Sequence, residues 1–414
     1  MILTAITDDL TGAADSGSYF TERGQCLRIY TDGEHELVRN ENEIMSVNLS
    51  SRNIIGTEAK AKHYNLVKRL NGLPGQIVMK KIGTGFRGND PYELEGLLEA
   101  APDRPCFIID NAPDLGTFTL YGNQYCEGQI LHKSLYANDP VMPPTKSFIP
   151  EILSEHTYIP IGLVDIDAVK SGRIKQETEK LLNSGKRIIV FDAVSRSDTL
   201  AIISTLMPDY SYAFWTGSLG IADALAQFFF GDTKPLNPKS RSIRSLCFSA
   251  SAYPMAKKQI AVSQKAGLKI VELDMDAVID GSLQAEQTAI NSSLESIKNA
   301  NTMLVPKVNK YSYKQGTSQA IMDTVGHCAD AICRNAQFDR LIVIGGETAQ
   351  HIMAKLEVRS LQLTAKLEPG VAEGILCGGV LDGKQFGLKG GSVGSERALE
   401  KMLCHWGDKS DDKI

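Results

Sequence analysis

The chain has 414 residues, of which 43% are hydrophobic and 22% are charged, and its formal net charge is −5. This length is enough for two or three domains, and the globular composition excludes a disordered or collagen-like chain. The acidic balance argues against nucleic acid as the main partner, because proteins that grip phosphate backbones are normally basic. No apolar run approaches the roughly 18 residues that a membrane span needs, so we expect no membrane association.

The eight cysteines are scattered and form no C-x-x-C pair, and the seven histidines show no zinc-binding spacing. The start of the chain, Met1 to Asp9, lacks the basic region of a signal peptide. We therefore expect a reduced, cytoplasmic protein without a structural zinc. The sequence does not determine the oligomeric state, and a homodimer is one arrangement open to it.

The N-terminal half alternates short apolar segments with helical patterns. Predicted strands are Ile2–Thr7, Leu27–Tyr30, Ile44–Asn48, Gln76–Ile82, Cys106–Asp110, Ile161–Val164 and Arg187–Phe191. Predicted helices are Thr11–Arg23, Glu58–Leu70, Pro91–Ala100 with Asp90 as its N-cap, a segment ending at Asn183 and a segment starting at Asp198. This alternation predicts parallel βαβ units and a doubly wound sheet.

The polar segment 231–244, with Pro235 and Pro238, is predicted to be a linker. A second α/β region follows. Its predicted strands are Ser245–Ser249, Lys269–Leu273 and Arg340–Ile344, and its predicted helices are Pro254–Ala266, Thr317–Asn335 and Ser395–Cys404. Asp382-Gly383 predicts a hairpin between Ile375–Leu381 and Lys384–Leu388. We therefore predict two α/β domains with mostly parallel sheets, residues 1–230 and 245–414, and a cleft between them.

Two adjacent acids, Asp8 and Asp9, follow the first predicted strand and open the first helix. Ligands of open α/β sheets bind outside the carboxyl ends of the strands, so these acids lie where chemistry is expected. One carboxylate is enough to cap the helix, and two exceed that need. The pair is suited to hydrogen bonds with substrate hydroxyls, or to accepting a proton from an alcohol; simple capping by one acid and solvation of the other is the alternative.

A glycine-rich loop follows the strand that ends in Lys80 and Lys81, and it contains a formal G-x-G-x-x-G at Gly83, Gly85 and Gly88. The spacing imitates a dinucleotide-binding fingerprint, but Asp90-Pro91 places the helix start after the third glycine. We favour an anion pocket built by Lys81 and Arg87, to which Arg52 after another strand contributes. The alternative is a solvated loop with surface charges.

Two further glycine-rich loops lie in the second region. Gly345-Gly346 separates the strand Arg340–Ile344 from a helix, and 388–395 precedes the last helix. Glycines allow a phosphate to approach backbone amides at a helix N-terminus. A single glycine-rich loop is an ordinary turn about as often as it is a phosphate-binding loop. Two such loops in one domain favour a site for the phosphates of a nucleotide. A nearby G-x-x-x-x-G-K at Gly378–Lys384 lacks the Ser or Thr of a P-loop and is excluded.

Together these segments resemble the four-carbon acid sugar kinase family along nearly the whole chain. The similar motifs are Asp8–Ala13, Lys81–Asn89, Ser249-Ala250-Ser251, Gly345–Ala349, Pro369–Val371 and Leu388–Gly394. The resemblance implies ATP-dependent phosphorylation of a four-carbon sugar acid such as threonate, erythronate or an oxo-tetronate, with Mg²⁺ accompanying ATP. It implies acid contacts from Asp9, Arg52, Lys81, Ile82, Gly83 and Thr84. We further expect Lys81 or Arg87 to hold the carboxylate of the acid, and Asp9 to be the catalytic residue that accepts the proton of the attacking hydroxyl. The resemblance also implies ATP contacts from Ser251, Gly345, Gly346, Glu347, Thr348 and Gly390.

Two other hypotheses stay open at this point. One is a non-catalytic protein that binds a sugar acid or a nucleotide, which ATP consumption dependent on an added acid would exclude. The other is a nicotinamide dehydrogenase built on the loop at Gly83, which stabilisation by ATP but not by NAD would exclude. The sequence does not reveal which acid is used or which residues hold the metal.

Overall fold

The computed structural model describes residues 2–34, 36–38, 43–70, 76–83, 85–139, 142–234, 238–240, 243–311 and 316–407. The chain forms two compact units. The first contains residues 1–27 and 32–234, and the second contains residues 28–31 and 235–414. No helix in the described part of the chain has the length and apolar character needed to cross a membrane.

The first unit is built on a parallel sheet. In spatial order its strands are Glu43–Asn48, Ile2–Thr7, Gln76–Lys81, Phe214–Gly217, Cys106–Ile109, Ile188–Phe191 and Ile161–Val164. Several strands are apolar and buried along their whole length, as the CFII run at Cys106–Ile109 shows. Such runs are typical of parallel sheets that are covered on both faces. The mostly parallel α/β fold predicted from the sequence is confirmed.

The helices of the first unit are Leu10–Thr21, Gly56–Arg69, Asp90–Ala100, Ile149–Ser154, Ile166–Lys170, Ile174–Asn183, Arg196–Tyr210 and Leu219–Phe230. A small antiparallel sheet, absent from the sequence prediction, consists of Thr117–Leu120, Asn123–Cys126 and Gln129–Ile130. Aromatic rings fill the core, where Phe107 meets Trp215 edge to face at 5.5 Å. Trp215 is fully buried.

The second unit has a mixed sheet. Its strands in spatial order are Lys269–Asp274, Thr302–Lys307, Ser245–Ser249, Arg340–Ile344, Gln385–Lys389, Val371–Cys377 and Ser360–Glu368. The first five run parallel, and the last two add antiparallel pairs. Residues 28–31, which overlap the end of strand Cys26–Tyr30, also belong to this unit, where the Thr31 amide donates to the Arg359 carbonyl at 3.1 Å.

The helices of the second unit are Pro254–Lys265, Met275–Ile279, Leu283–Ile297, Thr317–Asn335, Gly346–Lys355 and Ala398–Cys404. Its core gathers apolar side chains from the central strands and from the last helix, among them Cys247, Ile342, Ile344, Leu399 and Met402. The eight cysteines all lie in described segments and are free thiols, five of them buried.

Three local expectations need correction. Asp90 is the first residue of its helix and is fully buried, and Asn89 occupies the N-cap position. The hairpin strands pair as predicted, but they end at Cys377 and begin at Gln385, so Asp382-Gly383 lie in the connection. Within the predicted linker, Pro238–Ser240 forms a short strand with His405–Gly407, and residues 235–237 and 241–242 lie outside the described residues.

Candidate functional site

The candidate site of the first unit lies at the carboxyl edge of its sheet. Thr7 pairs with Lys81 and Lys81 pairs with Gly217, so three neighbouring parallel strands end in one row. The residues that follow these ends, and the acid after Cys106–Ile109, are therefore brought together, although they are far apart in the sequence. This edge is where open α/β sheets bind their ligands.

Asp8 forms a buried ion pair with Arg52. The Arg52 guanidinium donates two hydrogen bonds to the Asp8 carboxylate, from Nε at 2.6 Å and from Nη2 at 3.0 Å. Burial alone would raise the pKa of Asp8, but the charges of Arg52, Lys81 and Lys80 outweigh it and hold that pKa well below its usual range. Asp8 is therefore ionised and anchors Arg52 in a bidentate geometry.

Asp9 has the capping role that the sequence left open as an alternative. Its Oδ1 accepts a hydrogen bond from the Gly12 amide at 2.9 Å, and its Oδ2 accepts one from the Thr11 hydroxyl at 2.5 Å. Arg52 Nη2 also donates to Oδ1, at 2.8 Å. The side chain keeps 16% exposure, whereas that of Asp8 has none. Of the two adjacent acids, Asp8 has both oxygens bound by Arg52, and Asp9 is the one that keeps part of its side chain on the surface.

Lys81 is 5% exposed, and its ammonium has no hydrogen-bond or ion-pair partner in the part of the chain that the structure describes. It lies over Gly12, where an added Cβ would stand 2.8 Å from Nζ. A glycine at that position is what allows the lysine to reach the N-terminus of the first helix. A nearly buried cation without a protein partner is suited to a ligand carboxylate.

The adjacent Lys80 has a different environment, which the sequence did not reveal. Its ammonium lies 2.6 Å from Glu93, and both side chains are fully buried. Glu93 also accepts a hydrogen bond from the Ser51 hydroxyl at 2.5 Å. Burial, together with the Lys80 charge, lowers the pKa of the neighbouring His63 to about 4, despite the opposing charge of Glu93. Lys80 therefore belongs to a buried polar layer behind the site, together with Asp90, whose pKa burial raises well above its usual range.

The glycine loop is shaped by close backbone approaches. A Cβ on Gly83 would collide with the Arg87 carbonyl, and Gly88 at φ +137° passes close to Arg52. The helix begins at Asp90, after the third glycine, as predicted. Ile82 is buried and its amide already donates to the Gly217 carbonyl at 3.0 Å. Thr84 lies outside the described residues.

Arg87 is held by an acid that the sequence analysis did not consider. Its Nη1 donates to Asp139 Oδ2 at 2.9 Å, and the arginine side chain keeps 30% exposure. Lys81 and Arg87 therefore differ, because Asp139 already offsets the charge of Arg87. Of the two cations proposed for the pocket, Lys81 is the one that lacks a partner among the described residues.

Asp110 is a further acid at this edge that sequence reasoning passed over. It follows the strand Cys106–Ile109 and is fully buried, with Oδ1 accepting the Ser218 amide at 2.9 Å. Its position directly after an apolar strand is the same signal that marked Asp8 and Asp9. The predicted strand Cys106–Asp110 included this acid, so it was not treated as a residue that follows a strand.

The candidate site of the second unit is formed by three loops after neighbouring parallel strands. Ser249 pairs with Ile344, and Ile344 pairs with Lys389, so the loops that start at residues 250, 345 and 390 leave one edge of the sheet together. Gly345 has φ +106°, a conformation that favours glycine, and its amide donates to the Lys389 carbonyl at 2.9 Å. Gly346 is the first residue of the next helix.

Ser251 lies where these loops meet. A Cβ on Gly391 would collide with the Ser251 hydroxyl, and a Cβ on Gly345 would stand 3.3 Å from the Thr348 hydroxyl. The structure therefore brings together Ser251, Gly345, Gly346, Thr348 and Gly390, with the exposed Glu347 in the first turn of the helix. Backbone amides beside glycines at a helix N-terminus suit phosphate oxygens.

Gln259 fixes the third loop. Its amide nitrogen donates to the carbonyls of Val393, Gly394 and Ser395 at 3.1, 3.3 and 2.8 Å. The side chain is fully buried, so the loop is tied to helix Pro254–Lys265 rather than left to solvent. Among the residues that the structure describes, no group of three or more His, Cys, Asp or Glu side chains is placed to hold a metal ion.

Comparison with known proteins assigns a domain type to each unit. A family model described as a sugar-binding N-terminal domain matches residues 3–225, and one described as a nucleotide-binding C-terminal domain matches residues 246–399. A D-threonate kinase from Salmonella typhimurium is 22% identical, covering 98% of this chain and 100% of the relative. A 3-oxo-tetronate kinase from Pseudomonas fluorescens is 24% identical, covering 97% and 96%.

A crystal structure from Salmonella typhimurium LT2 has a TM-score of 0.80 at 19% identity, covering 97% of this chain and 98% of that one, and supports the fold. The two family models together match most of the chain. The chain therefore belongs to the four-carbon acid sugar kinase family, in which a sugar-binding N-terminal domain precedes a nucleotide-binding C-terminal domain.

Proposed function

We propose that this protein is an ATP-dependent kinase that phosphorylates the terminal 4-hydroxyl of a four-carbon sugar acid, such as D-threonate, D-erythronate or an oxo-tetronate. The observation that supports it most is the ammonium of Lys81 beside Asp9, which has no partner among the described residues and lies in the domain matched as sugar-binding. A sugar acid brings a carboxylate for the lysine and hydroxyls for the acid. D-threonate and 3-oxo-tetronate are the substrates named for two relatives along the whole chain.

In the acid pocket, Lys81 binds the substrate carboxylate and Arg52 helps to hold Asp9 in place through its 2.8 Å contact. Asp9 orders the reacting hydroxyl and accepts its proton as the hydroxyl oxygen bonds to the γ-phosphorus and ADP leaves. Phosphoryl transfer depends mainly on such positioning and on charge stabilisation. Ile82, Gly83 and Thr84 are proposed to line the pocket, and Arg87, paired with Asp139, to border it.

In the second domain, the loops at Ser251, Gly345–Thr348 and Gly390 are proposed to bind the phosphates of ATP. Mg²⁺ is proposed to accompany the nucleotide, because magnesium in kinases is held by substrate phosphates and only one or two carboxylates. It would neutralise charge on the phosphates. The meeting of acid and nucleotide in a cleft between the domains stays a prediction, as do a cytoplasmic location and a homodimer.

The test is a kinase screen in which ADP release is measured with ATP, Mg²⁺ and a panel of four-carbon acids. ATP consumption that depends on one of the acids, with a phosphorylated acid identified by mass spectrometry, supports the proposal. Binding of an acid or of ATP without any turnover would instead support the non-catalytic alternative. Asp9→Asn in the same assay distinguishes enzyme turnover from a contaminating ATPase.

A further inference from the structure

Asp110 is a buried carboxylate in which only one oxygen accepts a hydrogen bond from the described residues. Oδ1 accepts the Ser218 amide at 2.9 Å, whereas Oδ2 has no hydrogen-bond partner in the part of the chain that the structure describes. The residue has no solvent exposure. Nearly all buried polar atoms in native proteins are hydrogen-bonded, so an acceptor left open at this place calls for an explanation.

The surroundings of Asp110 place it beside the acid pocket. Lys81 ends a strand at the same edge of the sheet, one strand away from the strand that Asp110 follows, and its charge acts on Asp110 as well as on Asp8. Tyr136 is another neighbour. Burial raises the pKa of its hydroxyl, and the charge of Asp110 adds to the rise. Its ring stands 3.4 Å from where a Cβ on Gly85 would be, so the glycine loop borders the same space.

A neighbouring acid shows what a purely structural carboxylate looks like here. Asp192 follows the next strand of the sheet, Ile188–Phe191, and is equally buried. Its two oxygens accept three backbone amides, those of Tyr121, Gly122 and Ile166, at 2.5, 2.8 and 2.9 Å. Asp192 thus joins two loops to the sheet, whereas Asp110 has one oxygen that no described residue donates to.

The ionised form of Asp110 is costly in the protein alone. Burial raises its pKa to about 6, although Ser218 and Lys81 oppose the shift. A carboxyl whose folded pKa is raised favours the folded state less as the pH rises through that value. Burial also raises the pKa of Asp192, so it is the open acceptor on Asp110, and not the shift, that distinguishes the two acids.

We propose that Asp110 is a further substrate-binding residue, whose free Oδ2 accepts a hydrogen bond from a hydroxyl of the sugar acid held by Lys81. This inference rests on the proposed kinase function and adds a specificity contact to it. Only the strand Phe214–Gly217 separates the strand that ends at Lys81 from the strand that Asp110 follows, so an acid held at Lys81 has its hydroxyls at the same sheet edge as Asp110. A polar group built to pair with a substrate hydroxyl rejects analogues that lack it.

The decisive variant is Asp110→Asn, because the asparagine Oδ1 can still accept the Ser218 amide while its other position changes from an acceptor to a donor. We expect the KM for the acid to rise about 10–100-fold, the scale of one lost hydrogen bond to a charged group, with the KM for ATP unchanged. In wild type, kcat/KM for the acid should fall as the pH drops through about 6. The variant should not show this decrease, because asparagine does not titrate.

Thermal stability separates a binding role from a structural one, because loss of a structural acid lowers the Tm whereas loss of a binding acid does not. At pH 8 the Tm of Asp110→Asn should equal or exceed that of wild type, because a costly buried charge is gone. The matched control Asp192→Asn removes the acceptor of three backbone amides, so its Tm should fall while the KM for the acid stays near wild type. Asp110→Ser, which keeps a shorter acceptor, is the second variant if the first does not fold.

The outcomes separate this inference from the function on which it rests. If wild type consumes no ATP with any acid, the kinase proposal and the role of Asp110 are both rejected. If wild type is active and Asp110→Asn keeps its KM for the acid and the decrease below about pH 6, the role of Asp110 alone is rejected. A lowered Tm at pH 8 with wild-type kinetics would assign Asp110 to structure.

Discussion

The adjacent lysines of strand Gln76–Lys81 allow a matched test of which one serves the ligand. Lys81→Met removes an ammonium that has no partner among the described residues. Lys80→Met removes one that lies 2.6 Å from Glu93 with both side chains fully buried. Methionine approximates the length of lysine without its charge, so the two variants differ mainly in what the lost ammonium contacted.

For Lys81→Met we expect a binding defect. The interaction of the ammonium with a substrate carboxylate in a nearly dry pocket is worth about 2–3 kcal/mol, so the KM for the acid should rise roughly 30–150-fold. Stability should change by less than about 1 kcal/mol, because the Lys81 ammonium bonds to none of the described residues. The KM for ATP should stay unchanged, since Lys81 belongs to the sugar-binding domain.

For Lys80→Met we expect a folding defect. The variant leaves Glu93 buried without its cation, which typically costs about 3–5 kcal/mol. In a unit of this size each kcal/mol shifts the Tm by about 2–4 °C, so the melting transition of the first unit should fall by roughly 6–20 °C. Differential scanning calorimetry gives the transition, and ADP release against acid concentration gives the KM. The reasoning is refuted if Lys81→Met destabilises as much as Lys80→Met while binding the acid normally.

Three further predictions concern single residues. Asp9→Asn should lower kcat about 10²–10⁴-fold in the ADP-release assay and change the Tm little, because asparagine caps helices as well as aspartate does; an unfolded variant would favour the capping role alone. Asp8→Asn should destabilise by about 3–5 kcal/mol, since it breaks a buried pair with Arg52. The low folded pKa of Asp8 means that wild type has this stability above about pH 4 and loses it on acidification, which acid titration of unfolding would reveal. Gly346→Val should raise the KM for ATP at least about tenfold and leave the KM for the acid unchanged, because a side chain would block a phosphate from the backbone; equal effects on both would overturn the domain assignment.

Local patterns determined the fold class and the positions of the loops. Strands such as Ile161–Val164 and Arg340–Ile344 have the predicted bounds, because apolar runs between turn residues leave few other arrangements. Glycine-rich loops after strands were recognised for the same reason, since their backbone chemistry is local. Asp8 and Asp9 were marked as a site because both follow the first strand.

The roles of individual charges were decided only by the tertiary structure. Nothing local distinguishes Lys80 from Lys81, but alternate side chains of a strand face opposite sides, and one meets Glu93 while the other meets the first helix. Arg87 pairs with Asp139 across 52 positions of the chain. Such partners come from loops that the fold brings together, and charge pairing at long range leaves no periodic pattern in a single sequence.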